Sequence, residues 1–292
     1  MNAANPAAAT SEYLIEATDI RKTFGKGARA VKAVDGISVK IKKGKTLGVL
    51  GESGSGKSTF GRCILRLIEP DSGSIKFDGR EISSLSQSEF RPNRRNLQMI
   101  FQNPFSSLNP KMSVGEAVED PMRIWGLGDK AFRKQRVKDL LDMVGIASRR
   151  AAAYPYEFSG GQQQRINIAR ALSLDPKFIV CDEAVSALDV SIQAQIVNLL
   201  MDLQKQLGLT YLFISHNLGV VEYLADDVLI MQHGKPVEYA PTEEIFKNPR
   251  SEYTRNLIAS VPAMPTVAQL DAKEAEKLAR GRGGLLQGSA AR

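Results

Sequence analysis

Cysteine is almost absent: two residues, Cys63 and Cys181, stand far apart in a chain of 292. That argues against a disulfide framework and against a chain-internal zinc or iron–sulfur cage, which need several thiolates or imidazoles at close spacing. Long apolar runs are missing too. No stretch approaches the roughly 18 residues that would suggest a membrane span. The opening MNAANPAAATSEY has neither a basic start nor an apolar core, so we expect no signal peptide and a cytoplasmic protein. Histidine is scarce, with two residues, and no internal repeat is visible.

What is present is ordinary in bulk. A hydrophobic content of 43% with 24% charged residues is that of a globular protein, and the length suits one large domain, alone or with appendages. The net charge of +7 would suit nucleic acid or an anionic membrane surface, or equally a solvated helix face. Much of it sits in RIWGLGDKAFRKQRVK (123–138) and in Arg91, Arg94, Arg95, Arg149 and Arg150. No aromatics are interleaved there at a stacking spacing, so we expect no single-strand platform and no nucleic-acid partner.

Hydrophobic periodicity divides the chain. YLIEAT, a loop around Phe24 to Gly27, and VKAVDGISVKI read as short strands with turns. TLGVLG (46–51) is a fully apolar run ending at glycine, the pattern of a buried parallel strand. A helix is predicted from about Lys57 through Ile68, then strands at GSIKFDG and LQMIFQ. From 103 to 157 the period turns to 3.6, in VGEAVEDPMRIWG and FRKQRVKDLLDMVG. KFIVCDE and TYLFISH read as further buried strands around the amphipathic SIQAQIVNLLMDLQKQLG. Alternating strands and helices predict an α/β fold with a largely parallel sheet, interrupted by a helical lobe. Residues 1–12 are expected to be disordered, and after Ala259 we expect a helix and then a disordered tail.

Several stretches carry chemistry. Gly51, Glu52, Ser53, Gly54, Ser55, Gly56, Lys57, Ser58 and Thr59 spell GESGSGKST, which matches GxxxxGK[ST] with a strand before it and a helix after it. Glycines let successive backbone N–H groups curl round an oxyanion, and the helix N-terminus adds positive dipole. Lys57 can reach the β- and γ-phosphates and Ser58 can ligate Mg²⁺, which makes this a nucleoside-triphosphate site. In KFIVCDE, Asp182 ends a buried strand and can hold the metal. Glu183 can serve as general base, although an acidic pair also opens many loops. Gln102 follows LQMIF and opens the lobe; His216 follows YLFIS, where a neutral imidazole can bond a γ-phosphate oxygen or serve only as structure. Phe24 can stack on a base or plug the surface. Last, FSGGQQQR (158–165) has Ser159 as N-cap, then Gly160, Gly161 and Gln162 opening a helix, with nothing there that looks like core packing. It is a second anion-binding helix start, more cradle than one triphosphate needs.

Together GESGSGKST, Gln102, FSGGQQQR, FIVCDE, SALD (186–189) and His216 resemble the ATP-binding subunit of an ABC transporter. FQNPFSSLNPKMSVGEAV, YPYEFSGGQQQRINIARAL, CDEAVSALDVSIQAQIVNLL and KNPRSEYTRNLIASVP resemble its oligopeptide/dipeptide importer subfamily. The likeness runs over about residues 13 to 263, leaving 264–292 as a tail. It implies a P-loop NTPase (RecA-like) core with an N-terminal antiparallel β subdomain and a helical lobe at about 103–165. It implies ATP and Mg²⁺ as cofactors, with Ser58, Gln102 and Asp182 as metal ligands and Glu183 and His216 as catalytic residues. Two subunits would sandwich two ATP molecules, each site joining one P-loop to the other chain's Ser159–Gln162, with Asp189 at the seam. The expected partners are a related ATPase chain in a heterodimer, or a second copy in a homodimer, with two membrane permeases touched by Gln102 and the lobe. An extracytoplasmic solute-binding protein would feed them, and the subunit would lie on the cytoplasmic face of the inner membrane. Two departures stand out. The tail lacks the cysteines that many relatives carry, and Ala184 replaces a common proline. The rival readings are a soluble ABC ATPase acting on nucleic acid or ribosomes, and a nucleotide-sensing scaffold without turnover.

Overall fold

The computed structural model describes residues 11–260. The tail expected beyond Ala259 lies almost entirely outside them, as do ten of the twelve residues expected to be disordered at the start. The chain begins with β1 (Tyr13–Phe24) and β2 (Val31–Lys42), a long antiparallel pair. β1 is twice the length that YLIEAT suggested. Its second half, DIRKTF, reads as polar but stays extended, bridged to β2 and anchored by Asp71 to Lys22 Nζ and the Thr23 N–H. Phe24 therefore ends a strand, paired to Val31, and is not in a loop.

β3 (Thr46–Leu50) leads through the GESGSGKST loop into α1 (Lys57–Ile64). α1 stops four residues short of the predicted Ile68 because Arg66 takes a left-handed backbone, φ +49°. Its buried guanidinium donates to the Ile82 and Leu85 carbonyls. β4 (Ser72–Phe77), β5 (Arg80–Glu81) and α2 (Gln87–Phe90) follow, then β6 (Leu97–Ile100). Next come α3 (Pro104–Ser107), α4 (Val114–Ile124) and α5 (Lys130–Met143) in the stretch where the 3.6 period predicts helix, and then α6 (Gly160–Leu172), the helix expected behind Ser159. β7 (Phe178–Asp182), α7 (Val190–Leu207), β8 (Thr210–Ile214) and α8 (Leu218–Leu224) return to the sheet. β9 (Asp227–Gln232), β10 (Lys235–Pro241), α9 (Thr242–Lys247) and α10 (Glu252–Ala259) complete the described chain. The hairpin of β9 and β10 goes beyond the strands read from sequence, and its His-Gly turn is not one of the common two-residue hairpin pairs.

Two sheets result: an antiparallel one in the order β2-β1-β4-β5, and a mixed one in the order β10-β9-β3-β8-β7-β6. In the second, β6, β7, β8, β3 and β9 run parallel, and β10 joins antiparallel. Side chains alternate across a strand. Phe178, Val180, Leu212 and Ile214 enter the core shared with the first sheet and α1, while Ile179, Cys181, Tyr211 and Phe213 enter the core under the helices. Both faces are covered, so these strands read as unbroken apolar runs.

Candidate functional site

The parallel strands all end at one edge, and the chemistry-bearing residues are the next ones along. Ile100 pairs with Cys181 and Asp182 with Ile214, which is also level with Val49. This register brings Gln102, Asp182, Glu183 and His216 together with the loop after β3. Crevices at the carboxyl ends of parallel strands are where α/β sheets hold ligands, since the loops there are free to carry function.

The loop from Gly51 curls back under Lys57. Lys57 is 4% exposed, and its Nζ donates to the Gly51 carbonyl at 2.8 Å and the Glu52 carbonyl at 2.7 Å, with Ser55 Oγ at 3.4 Å. Burial pushes its pKa below the usual lysine value, opposed by the Glu183, Asp182 and Glu52 carboxylates. Gly56 is the N-cap of α1 at φ +99°, and a Cβ there would collide with the Ala33 carbonyl oxygen. Only glycine satisfies both demands. The turn between β9 and β10 stitches the loop down: the Gly234 N–H donates to the Ser55 carbonyl at 3.0 Å and the Asp35 N–H to the Gly234 carbonyl at 2.8 Å.

Ser58 Oγ donates to Asp182 Oδ1 at 2.6 Å, and the Arg62 guanidinium lies 3.5 Å from Oδ2. The next residue, Glu183, has φ +48° and donates its backbone N–H to the Ile214 carbonyl at 3.0 Å. Its Oε2 receives Gln102 Nε2 at 2.7 Å and faces His216 Nδ1 at 3.5 Å. A strained left-handed backbone held by its neighbours aims this carboxylate between two other strand ends.

A cleft of about 650 Å³ opens beside these groups, and His216 is not among the residues that line it. Ser53, Gly54, Gly56, Lys57, Ser58, Thr59, Gln102 and Glu183 line it; Gly51, Glu52 and Ser55 do not, and Asp182 is joined to it through Ser58. Val31, Lys32 and His233 also line it; the first two read in the sequence only as part of an alternating strand, and His233 carries no reading there at all. Phe24 is half-exposed, with Lys22 Nζ 5.7 Å from its ring centre, and is not a lining residue. For magnesium, the donors in contact are a hydroxyl and a carboxylate, the hard oxygen set that ion prefers. Among the described residues no cluster of three or more His, Cys, Asp or Glu could hold a metal alone, so the remaining ligands would come from phosphate and water.

Ser159, Gly160, Gly161, Gln162 and Asp189 stand apart from this cleft. Ser159 caps α6 and forms a capping box with Gln162: the Gln162 N–H donates to Ser159 Oγ at 3.4 Å, and the Ser159 N–H to Gln162 Oε1 at 3.1 Å. A Cβ on Gly161 would lie 2.5 Å from Ile192 Cγ2, so glycine is what lets α6 lie against α7. The other two glutamines overturn the expectation of a helix start free of core packing. Gln163 is buried and donates to the Pro155 and Phe158 carbonyls; Gln164 is fully buried and donates to the Ala184 carbonyl at 2.7 Å. Buried amides need partners: Gln163 holds the turn that leads into α6, and Gln164 ties α6 to the loop carrying Glu183. Asp189 is the exposed N-cap of α7.

Among the described residues no helix is long and apolar enough to cross a membrane. Residues 34–186 match the ABC transporter family, and residues 237–283 match the oligopeptide/dipeptide transporter C-terminal region. A Brucella ovis protein, provisionally named a peptide import ATP-binding protein, is 48% identical over 254 residues, covering 87% of this chain and 80% of its own. The glutathione import ATP-binding protein of Salmonella paratyphi A is 52% identical over 239 residues, covering 82% of this chain and 38% of its own. Among solved structures, a dimeric post-hydrolysis ATP-binding cassette bound to ADP and phosphate superposes with a TM-score of 0.71 at 29% identity, over 78% of this chain and 98% of that one. CbiO1 of Clostridium perfringens, part of the ABC transporter complex CbiONQ, superposes with a TM-score of 0.74 at 27% identity, over 86% and 97%.

Proposed function

The chain belongs to the ABC transporter family, and on that premise we propose that it is the ATPase subunit powering import of peptides or peptide-like solutes. The observation that carries the reading is the grouping of Lys57, Ser58, Asp182, Glu183, Gln102 and His216 along one sheet edge beside a phosphate-sized loop. On this reading residues 13–263 form the ATPase unit, with 103–165 as its helical lobe.

ATP enters the cleft with its phosphates against the amides of residues 54–58 and the α1 N-terminus, where backbone N–H groups and dipole favour negative charge. Lys57 meets the β- and γ-phosphates. Ser58 and Asp182, with Gln102, would hold Mg²⁺, which when bound neutralises charge on the phosphates. Glu183 accepts a proton from the attacking water, and Gln102 and His216, touching the same carboxylate oxygen, hold it in place. Phe24, paired with the lining residue Val31 though not lining the cleft itself, is the ring left to stack on the base.

One chain offers half of this machinery. Ser159, Gly160, Gly161 and Gln162 are outside their own chain's cleft, as a contact to a second chain's γ-phosphate requires. Asp189 would sit at that seam. The second ATPase is a related chain or a second copy; two permeases and an extracytoplasmic binding protein complete the transporter, with this subunit on the cytoplasmic face of the inner membrane. Reconstitution with candidate permeases in lipid vesicles tests this. Peptide and binding protein should raise ATP hydrolysis well above that of the isolated chain. Equal hydrolysis with and without permeases would refute the transport role and leave the ATPase.

A further inference from the structure

Among the described residues, α10 reaches the phosphate-binding loop through the side chain of Tyr253. The Tyr253 hydroxyl accepts a hydrogen bond from the Glu52 backbone N–H at 3.4 Å. That N–H belongs to the same planar peptide unit as the Gly51 carbonyl, whose oxygen receives Lys57 Nζ at 2.8 Å. One rigid plane is therefore held at both polar ends, by the tyrosine at its N–H and the lysine at its oxygen. Rotating the plane would turn the carbonyl away from the ammonium.

Tyr253 is fixed by the sheet that carries the loop. Leu50, the last residue of β3, is level with Ile230 on β9, and Ile230 is level with Glu238 on β10. The Glu238 carboxylate accepts the Arg250 N–H at 2.9 Å and the Ser251 N–H at 3.3 Å, gripping the start of α10. Burial works against that carboxylate, but these backbone donors and Thr254 hold its pKa below the usual value, so it stays ionised. Ser251 caps α10 by accepting the Thr254 N–H, and Thr254 is fully buried. The circuit closes where Tyr253, on α10, meets the residue two beyond Leu50.

We propose that Tyr253 is a positioning residue for Lys57: its hydroxyl orients the 51–52 peptide so that the ammonium is held where a triphosphate meets it. The inference rests on the reading of Lys57 as an ATP contact. It gives the region similar to the oligopeptide/dipeptide transporter C-terminus a task at the nucleotide, through one hydroxyl.

Tyr253→Phe removes only that hydroxyl. Measured by calorimetry on the full chain, the Kd for Mg-ATP should rise about two- to fivefold, the lower range for one long neutral hydrogen bond. The Kd for adenosine, which has no phosphate for Lys57 to meet, should not change. In the reconstituted transporter KM should rise with kcat unaltered. In a Lys57→Ala background, followed at millimolar nucleotide, the tyrosine substitution should have no further effect on ATP. An unchanged ATP affinity in Tyr253→Phe, with Lys57→Ala still weakening ATP, overturns this inference alone. The same weakening for adenosine, or in the Lys57→Ala background, also overturns it, since a general packing role would act that way. A Lys57→Ala chain that binds ATP as well as wild type overturns the ATP reading of Lys57 and this inference with it.

Discussion

Replacing Glu183 by glutamine removes proton acceptance from the side chain while leaving its surroundings in place. The backbone at 183 is left-handed at φ +48°, and glutamine, with the same branching, meets the same conformational cost there. The Glu183 N–H still donates to the Ile214 carbonyl, and Gln102 Nε2, now 2.7 Å from a carboxylate oxygen, still finds an amide oxygen. A positioned base contributes about 10²- to 10⁴-fold. Turnover of the assembled transporter should fall by that factor, about 3–5 kcal/mol on the barrier. ATP binding should persist or tighten slightly, because Lys57 and Ser58 are untouched and one negative charge near the triphosphate is gone. With ATP held and not split, the variant should elute as a dimer from a sizing column in Mg-ATP and as wild type without it. Near wild-type turnover would place the base elsewhere, with His216 the next candidate. An ATP affinity lowered tenfold would mean that Glu183 serves binding.

Gly56→Ala should abolish ATP binding and lower stability by about 1–3 kcal/mol, since φ +99° and the Ala33 carbonyl both oppose a side chain; nucleotide titration with thermal unfolding checks it. Ser159→Arg should leave ATP binding to its own chain's P-loop intact and eliminate turnover in the assembled transporter, because the capped α6 start is not part of its own cleft; a variant with full turnover would remove the shared-site reading. Asp78 is held below the usual carboxylate range by Lys43 at 2.6 Å, against burial, with Lys177 at 3.2 Å assisting. Its contribution is full above the unfolded carboxylate value and lost as pH falls through the lower folded one. Asp78→Asn should therefore be less stable than wild type at neutral pH, with the gap closing in acid; unfolding midpoints against pH measure this.

Much of the fold was legible because its signals are local. β3, β6, β7 and β8 are apolar runs bounded by turn residues, and α4, α5 and α7 carry a helical period with caps. GESGSGKST announces its conformation by itself, since glycine dihedrals and a helix N-terminus are properties of adjacent residues. Other features depend on residues distant in sequence meeting in space. No spacing says that Arg66, sixteen residues before Ile82, will donate to its carbonyl and end α1 early. Gln163 and Gln164 look like solvent-facing amides until α6 lies against the loop at Ala184. Residues 232–234 carry no reading in the sequence, and their place against the phosphate loop follows from β9 pairing beside β3. Tyr253 is 201 residues from Glu52, and the two meet only through the register that sets Leu50, Ile230 and Glu238 in one row. The sequence by itself determined the elements and the phosphate loop, whose energetics are settled within a few residues. The tertiary structure alone decided which polar groups are buried and what each one holds, because burial and hydrogen-bond partnership depend on the order of strands in the sheet.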